Sequence, residues 1–493
     1  MKTSSRLDTL NLLRRFALVI FIIFPVTLAL IAQVFFLVHT WDIFKAFQIF
    51  LLFGVLIVPF ILVFTNSSLW AMLEKHETWL VLWVIAIAIS LRLVLLPLIS
   101  TNFGSDMADI NSFAAEIVAG TADIHKYLNI SYAAYLSLTS LVLSFFYKIF
   151  GVSTTVAKLF LVLLSVLTTW LVYLTGRKIS GIRAGFFASF VYATLPSLIC
   201  FTGVLTGDHL ALPFFVLAIL IQAYLYKAEP SNPYYILIGY AACGIAIGFV
   251  DWFRPFGMVL LLAMIISTFI FQFRRGTFLR LLLALSVLVA SYFAVNKLAD
   301  VVIKNVFHAK TFTMSEKIGS HLLVGLNPDS RGRVTPEDGA TIGETYQRYG
   351  NDYASINRYL IQVAFSRLDK EKLAKLFVEK FYIMWSNHIE LFDYALFGSD
   401  DQEIVYLMAD FESLLFLVLT LFILIGAIKS FRRKSHPAIF TMQLFLLGFA
   451  MLVLIFEAQN RYIVVTLPYL VLLGVLGAND VFPIKEKSLS QQE

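Results

Sequence analysis

The chain returns repeatedly to uninterrupted apolar runs about as long as a bilayer is thick. They lie near 16–38, 43–65, 79–99, 154–175, 184–203, 209–227, 234–250, 255–273, 278–297, 410–428, 436–456 and 462–478. A helix of about 20 apolar residues crosses a hydrocarbon core of about 30 Å while bonding its own backbone polar groups. The runs therefore predict an all-α polytopic membrane protein with about twelve spanning helices. With 59% hydrophobic residues, 14% charged ones and a mean hydropathy of +0.82, a soluble globular chain is excluded. The net charge of +6 does not point to nucleic acid, because the basic residues sit in short clusters between runs. The lipid bilayer is the expected environment, and the 47 phenylalanines suit lipid-facing helices. Cys200 and Cys243 lie inside apolar runs, which argues against a disulfide framework. The first run follows Arg14 and Arg15 and lacks a small-residue cleavage site, so it reads as a retained span rather than a signal peptide.

Positive residues set orientation. Arg14 and Arg15 place the N-terminus inside, and three spans then put Thr101 outside. Arg177, Lys178 and Arg183 mark one cytoplasmic loop, Arg274, Arg275 and Arg280 a second, and Lys429, Arg432, Arg433 and Lys434 a third. These loops fit one alternating topology only if a further apolar stretch, 131–150, does not cross. Ser131, Tyr132, Tyr135, Ser137, Thr139, Ser140 and Tyr147 interrupt it, as expected of a helix lying at the outer interface; an ordinary span is the alternative. Four units follow: two N-terminal spans (1–78), a transmembrane module with outer loop 100–153 (79–297), an extracytoplasmic soluble segment (298–408), and C-terminal spans with a cytoplasmic tail (409–493). The soluble segment holds "GLNPDSRGRVTPEDGA", read as turns and loop, and two helical stretches near 351–367 and 369–389. The second is amphipathic enough to rest on a membrane surface.

In this topology the charges of the outer turns converge on one face. "SDMADINSFAAEIVAG" carries Asp106 and Asp109. Asp106 can cap a helix with Asp109 three residues on, leaving Ile110, Phe113, Ala114 and Ile117 toward the bilayer. A carboxylate held there can also take a proton from an incoming hydroxyl, and the two readings are compatible. Asp208 and His209 open the next turn; Asp208 reads as an N-cap or a second acidic site residue, and His209 as a local hydrogen-bond partner or a substrate contact. Asp251 and Arg254 flank "WF" in a tight turn, where Arg254 either pairs with Asp251 or offers its forked donors to a phosphate. Glu457 and Arg461 stand at the mouth of the last span beside Tyr462, as an ion pair or as substrate contacts. Arg92 lies inside a span, where a charge needs a partner; the carboxylates of the first loop are its expected partners. Metal-ligand spacing and phosphate-cradling glycine loops are both absent from the sequence.

At these residues the chain resembles the GT-C glycosyltransferases, in the branch of protein O-mannosyltransferases and lipid A aminoarabinose transferases. The resemblance runs from about residue 80 through "SDMADINSFAAEIVAG", "YKIFGVSTTVAKLFLVLLSVLTTWLVYLTGRKISGIRAGFFASFVYATLP", "GDHLALPFFVLAIL", "FVDWFRPFGMVLLL" and "RYIVVTLPYLVLLG". It implies a GT-C fold with interfacial helices in the first outer loop, and a polyprenyl-phosphate sugar as donor. It also implies a first-loop carboxylate as catalytic base, which Asp106 matches best. The spacing Asp-Met-Ala-Asp, where the branch often has adjacent acids, keeps Asp109 as the other candidate. Asp208 matches the second acidic position, and Arg254 and Arg461 become carriers of the donor phosphate. No cofactor is expected; a divalent metal stays open, because oligosaccharyltransferases of the superfamily use one. The expected function is inverting transfer of a monosaccharide to an extracytoplasmic glycan, glycolipid or protein at a bacterial plasma membrane. A transporter or flippase of a lipid-linked sugar is the alternative, less suited to charges gathered at one end of the spans.

Overall fold

The computed structural model describes residues 22–97, 106–126, 134–227, 233–272, 278–307, 318–350, 352–396, 402–432 and 436–482. Every regular element among the described residues is helical. The chain begins with α1 (Phe24–Thr40), α2 (Ile43–Thr65), α3 (Ser67–Leu73) and α4 (Glu77–Leu95). Next come α5 (Asp106–Ala119), α6 (Ala134–Phe150), α7 (Thr154–Ser180), α8 (Ile182–Thr194), α9 (Pro196–Phe201), α10 (Asp208–Lys227), α11 (Pro233–Phe253), α12 (Gly257–Gln272) and α13 (Phe278–Phe307). A polar segment folds as α14 (Ile318–Gly325), α15 (Pro336–Tyr349), α16 (Tyr353–Ser366), α17 (Lys370–Trp385) and α18 (Ile389–Ala395). Three helices, α19 (Gln402–Arg432), α20 (Pro437–Ile455) and α21 (Leu467–Val481), follow it.

Among the described residues, nine helical stretches are long and apolar enough to cross a membrane; Phe24–Thr40, Leu136–Phe150 and Gly257–Gln272 are apolar but shorter. The protein is thus an all-α, multi-pass membrane protein. One predicted span is corrected. The run 184–203 is not a single helix: it breaks at Leu195, whose ψ of 117° is extended, and restarts at Pro196. The proline ring disfavours the helical conformation in the residue before it, and hydropathy does not register this. Residues 16–21 of the first predicted span lie outside the described residues. The spans differ in place: 11% of the Ile43–Thr65 window is buried against 89% of Asn460–Val481, so α2 is peripheral and α21 axial. Close packing rests on small residues. A Cβ on Gly244 of α11 would fall 2.3 Å from Leu288 O of α13, and one on Gly248 2.6 Å from Val295 Cβ. Backbone approach through small residues is what lipid-embedded helices use in place of a hydrophobic driving force.

The bundle has two chemically distinct ends. At one, Arg183 donates to the Asn479 side chain and to the carbonyls of Phe482 and Phe64, joining α8, α21 and α2. At the other lie Asp208 and the polar segment. α6 meets this second end, where Thr139 Oγ1 lies 3.0 Å from where a Cβ of Gly207 would stand, and the Phe146 ring is 4.2 Å from Phe160 of α7. Labelling tests the sidedness. In a background lacking the buried Cys200 and Cys243, cysteines at Lys126 and Ser153 are expected to react with an impermeant reagent from outside. A cysteine at Ser180 should react only after permeabilisation; outside labelling at Ser180 would make 131–150 a span and reverse the topology.

α13 runs on to Phe307 and α19 begins at Gln402, so both helices extend into 298–408. The helices expected near 351–367 and 369–389 are α16 and α17. The stretch read as loop through Ala340 is corrected: Thr335 caps α15, accepting from Asp338 N, with Pro336 and Glu337 in its first turn. These are helix-start signals, and the glycine and proline content obscured them. α17 is pinned rather than merely resting on a surface. Its Lys380 is fully buried and donates to Gly325 O (2.7 Å), Leu454 O (2.8 Å) and Phe456 O (2.5 Å), tying α14 and α17 to the end of α20. Burial pushes the Lys380 ammonium down to about 7, with Glu457 opposing. Lysine in an undocked chain titrates near 10.4, so between about 7 and 10.4 the undocked state holds more protons. Docking of α17 is therefore expected to strengthen as pH rises from about 7 to 10.4 and to level off at its weakest below about 7, where both states hold the proton. Limited proteolysis of α17 should show protection growing with pH in the wild type but not in Lys380→Met; pH-independent protection in the wild type would refute the coupling.

Candidate functional site

The site is built on two turns that Gly207 brings together. A Cβ there would meet Phe253 O at 2.5 Å, so only glycine lets the end of α11 close onto the start of α10. Asp208 sits in the first turn of α10 and Arg254 just past α11, and the two form an ion pair, with 3% and 11% of their side-chain surfaces exposed. Asp208 is therefore not the expected N-cap; Gly207 O receives Leu210 N and Ala211 N instead. Nor does Arg254 pair with Asp251. The Asp251 carboxylate accepts from Gly257 N at 2.6 Å and from the Tyr292 hydroxyl, which staples the turn to α13.

The last outer turn closes the site from the side. The Arg254 guanidinium lies 6.0 Å from the Tyr462 ring centroid and that of Arg461 5.5 Å, so the two cations share one aromatic ring. Arg461 also lies over Tyr394 of α18, at 4.4 Å, a cation–π arrangement. Glu457 is not paired with Arg461 as the sequence allowed; it accepts from Tyr462 Oη (2.9 Å) and Gln459 Nε2 (2.5 Å). Backbone N of Arg461 meets Glu390, which in turn pairs with Arg333 of the polar segment. Arg92 is 1% exposed, and its partners are not the first-loop carboxylates: it donates to Ser165 Oγ (2.7 Å), Ala193 O (2.9 Å) and Ala88 O (3.1 Å). His209 is buried, with Nε2 3.0 Å from Phe201 O. Among the described residues, Asp208 Oδ1, Arg92 Nη2 and Arg461 Nε are buried with no hydrogen-bond partner. Unsatisfied buried polar atoms are rare, and those of Asp208 and Arg461 belong to groups flanking the Arg254–Tyr462 contact.

Asp106 and Asp109 stand in the first turn of α5, at the same end of the bundle. Asp106 is itself helical; Gly104 and Ser105 lie outside the described residues. Ile110, Phe113 and Ala114 were expected toward lipid but are buried within the protein. Phe113 packs on Phe307 at the end of α13, and Asn111 accepts from Tyr147 Oη of α6 at 2.5 Å. Thr139 on α6 touches the Gly207 turn, so one helix separates the two acids from Asp208. Tyr394, Glu390, Arg333, Tyr292 and Ser165 entered the site unannounced. Each lies far along the chain from the residue it contacts, and nothing in its local sequence marks it.

The comparisons with known proteins fall on this region. A family model, dolichyl-phosphate-mannose-protein mannosyltransferase, matches residues 137–297, which contain Asp208, His209, Asp251 and Arg254. No curated protein matches the chain. Among solved structures, the oligosaccharyltransferase AglB of Archaeoglobus fulgidus, in complex with an inhibitory peptide and a dolichol-phosphate, aligns at 16% identity and a TM-score of 0.48. The alignment covers 83% of this chain, which spans about half (51%) of the length of AglB. ArnT of Cupriavidus metallidurans, bound to undecaprenyl phosphate, aligns at 14% identity and a TM-score of 0.35 over 81% of this chain and 78% of ArnT. Through residues 137–297, which hold the buried Asp208–Arg254 pair, the chain is similar to the dolichyl-phosphate-mannose-protein mannosyltransferase family.

Proposed function

We propose that this protein is an inverting glycosyltransferase that moves a monosaccharide, a hexose or a pentose, from a polyprenyl-phosphate carrier to an acceptor hydroxyl at the outer face of a bacterial plasma membrane. The acceptor belongs to a cell-wall polysaccharide, teichoic acid, glycolipid or protein. One observation carries the reading: Arg254 and Arg461 share the Tyr462 ring at one end of an apolar bundle, and Arg461 keeps a buried N–H without a partner among the described residues. A phosphate held at a bilayer surface on a lipid tail needs such donors. The acceptor oxygen attacks the anomeric carbon, the bond from that carbon to the phosphate oxygen breaks, and the carrier leaves as polyprenyl phosphate with the bonding pair. Asp106 takes the hydroxyl proton, with Asp109 as the other candidate base. Arginine charge stabilises the departing phosphate. Asp208 holds one fork of Arg254, and His209, Asp251, Glu457 and Arg92 keep the surrounding turns in register.

The purified protein with a radiolabelled polyprenyl-phosphate sugar and an acceptor panel is expected to release lipid phosphate and label one acceptor. Movement of the intact lipid-linked sugar across a vesicle membrane, with no sugar transferred, would replace this reading by transport. We propose that no divalent metal is required, since Asp208 and Asp251 are already engaged by Arg254 and by Gly257 and Tyr292. Transfer should persist undiminished in EDTA; a loss restored by manganese or magnesium would refute this.

A further inference from the structure

A second concavity lies apart from the arginines, among α1, α17, α19, α20 and α21. It takes in about 660 Å³ of space unfilled by protein, much of it open to the surroundings. Val26, Ala29 and Gln33 follow one another along one wall, and Phe416, Thr420 and Ile423 along another. Seven residues of helix make this a slot about 10 Å long, parallel to the spans. Its lining is apolar apart from a few groups. Gln33 Nε2 donates to Thr420 Oγ1 at 3.1 Å, and the His388 ring faces the Glu412 carboxylate at 3.2 Å. The buried Gln443 amide also lines it, and Gln33 Oε1 and Trp385 Nε1 have no hydrogen-bond partner among the described residues, on side chains only 5% and 8% exposed. One acceptor and one donor buried in an apolar slot are costly unless a ligand meets both.

We infer that this slot binds an acylglycerol, with its acyl chain along α1 and α19, its ester carbonyl accepting from Trp385 Nε1, and its free hydroxyl donating to Gln33 Oε1. The charge of the site selects against the proposed donor. Among the described residues no lysine or arginine lines the slot, so they offer a phosphate no counter-charge, whereas a neutral ester and hydroxyl match Trp385 Nε1 and Gln33 Oε1. α1 and the other helices that line the slot all lie outside residues 137–297, the part of the chain that matches the mannosyltransferase family.

The test uses the full chain, delipidated in detergent, with tritiated dioleoylglycerol as probe. Wild type is expected to retain the lipid near one per protein. Trp385→Phe, which keeps the ring packing, and Gln33→Leu should each weaken retention at least tenfold, and Ala450→Phe should fill the slot and abolish it. Methyl oleate, an ester without a hydroxyl, should bind wild type and Gln33→Leu equally. Monodisperse elution and an unchanged Tm define the variants to be compared. Undiminished retention by Trp385→Phe and Gln33→Leu would overturn the site, as would displacement of the probe by undecaprenyl phosphate at equal concentration, which would make the slot part of the donor groove.

Discussion

Asp106→Asn is expected to lower sugar transfer by about a hundredfold or more, the usual scale for a lost general base, while donor binding stays largely intact. Asparagine has the size of aspartate, but its amide takes up no proton at neutral pH. The buried face of α5, with Ile110, Phe113 and Ala114, is untouched by the change. Losing one negative charge in a helix first turn costs about 0.3–1 kcal/mol at an exposed position, too little to unfold a bundle of this size. Asp109→Asn is expected to have the smaller effect. The informative quantity is the ratio of the two rates, measured on monodisperse protein with the same lipid-linked donor. Normal transfer by Asp106→Asn beside a loss in Asp109→Asn reassigns the base; normal transfer by both removes this loop from the chemistry.

The second large effect concerns the Asp208–Arg254 pair. Arg254→Ala leaves a carboxylate with 3% of its side-chain surface exposed, and removing one partner of a buried pair typically costs about 3–5 kcal/mol. A marked fall in Tm is expected for Arg254→Ala and for Asp208→Ala. The double variant should lose much less than the sum, because neither charge is then stranded. Arg254→Lys keeps the charge but not the fork, so donor affinity should fall in the order wild type, Lys, Ala. Arg461→Ala should weaken donor binding at least tenfold without the drop in Tm, since its contacts are the faces of Tyr394 and Tyr462 rather than a carboxylate. Strict additivity of the Asp208 and Arg254 single variants would show that the pair is not coupled. Equal donor affinity across the Arg254 series would leave Arg461 as the phosphate carrier.

The sequence by itself determined the membrane class, the long apolar helices, and which turns carry charge. Apolar runs, basic loops and the Gly207-Asp208, Trp252 to Pro255 and Glu457 to Tyr462 turns are local facts. They survive folding because an apolar run in lipid has few alternatives to a helix. The helix break at Leu195 was legible too, had Pro196 been weighed above hydropathy. What only the tertiary structure decided was pairing. Arg254 lies three residues from Asp251 along the chain and pairs instead with Asp208; Arg92 is bonded by Ser165 and two carbonyls rather than by the first-loop acids. Glu457, four residues from Arg461, accepts from Tyr462. Lys380, one lysine among many in an amphipathic helix, proves to be the buried tie to α14 and α20. Such contacts depend on how each helix is rotated and how closely neighbours approach, which glycines such as Gly207 and Gly244 set by what they lack. A charge in a low-dielectric interior takes the partner that this geometry brings within reach, whatever its distance along the chain.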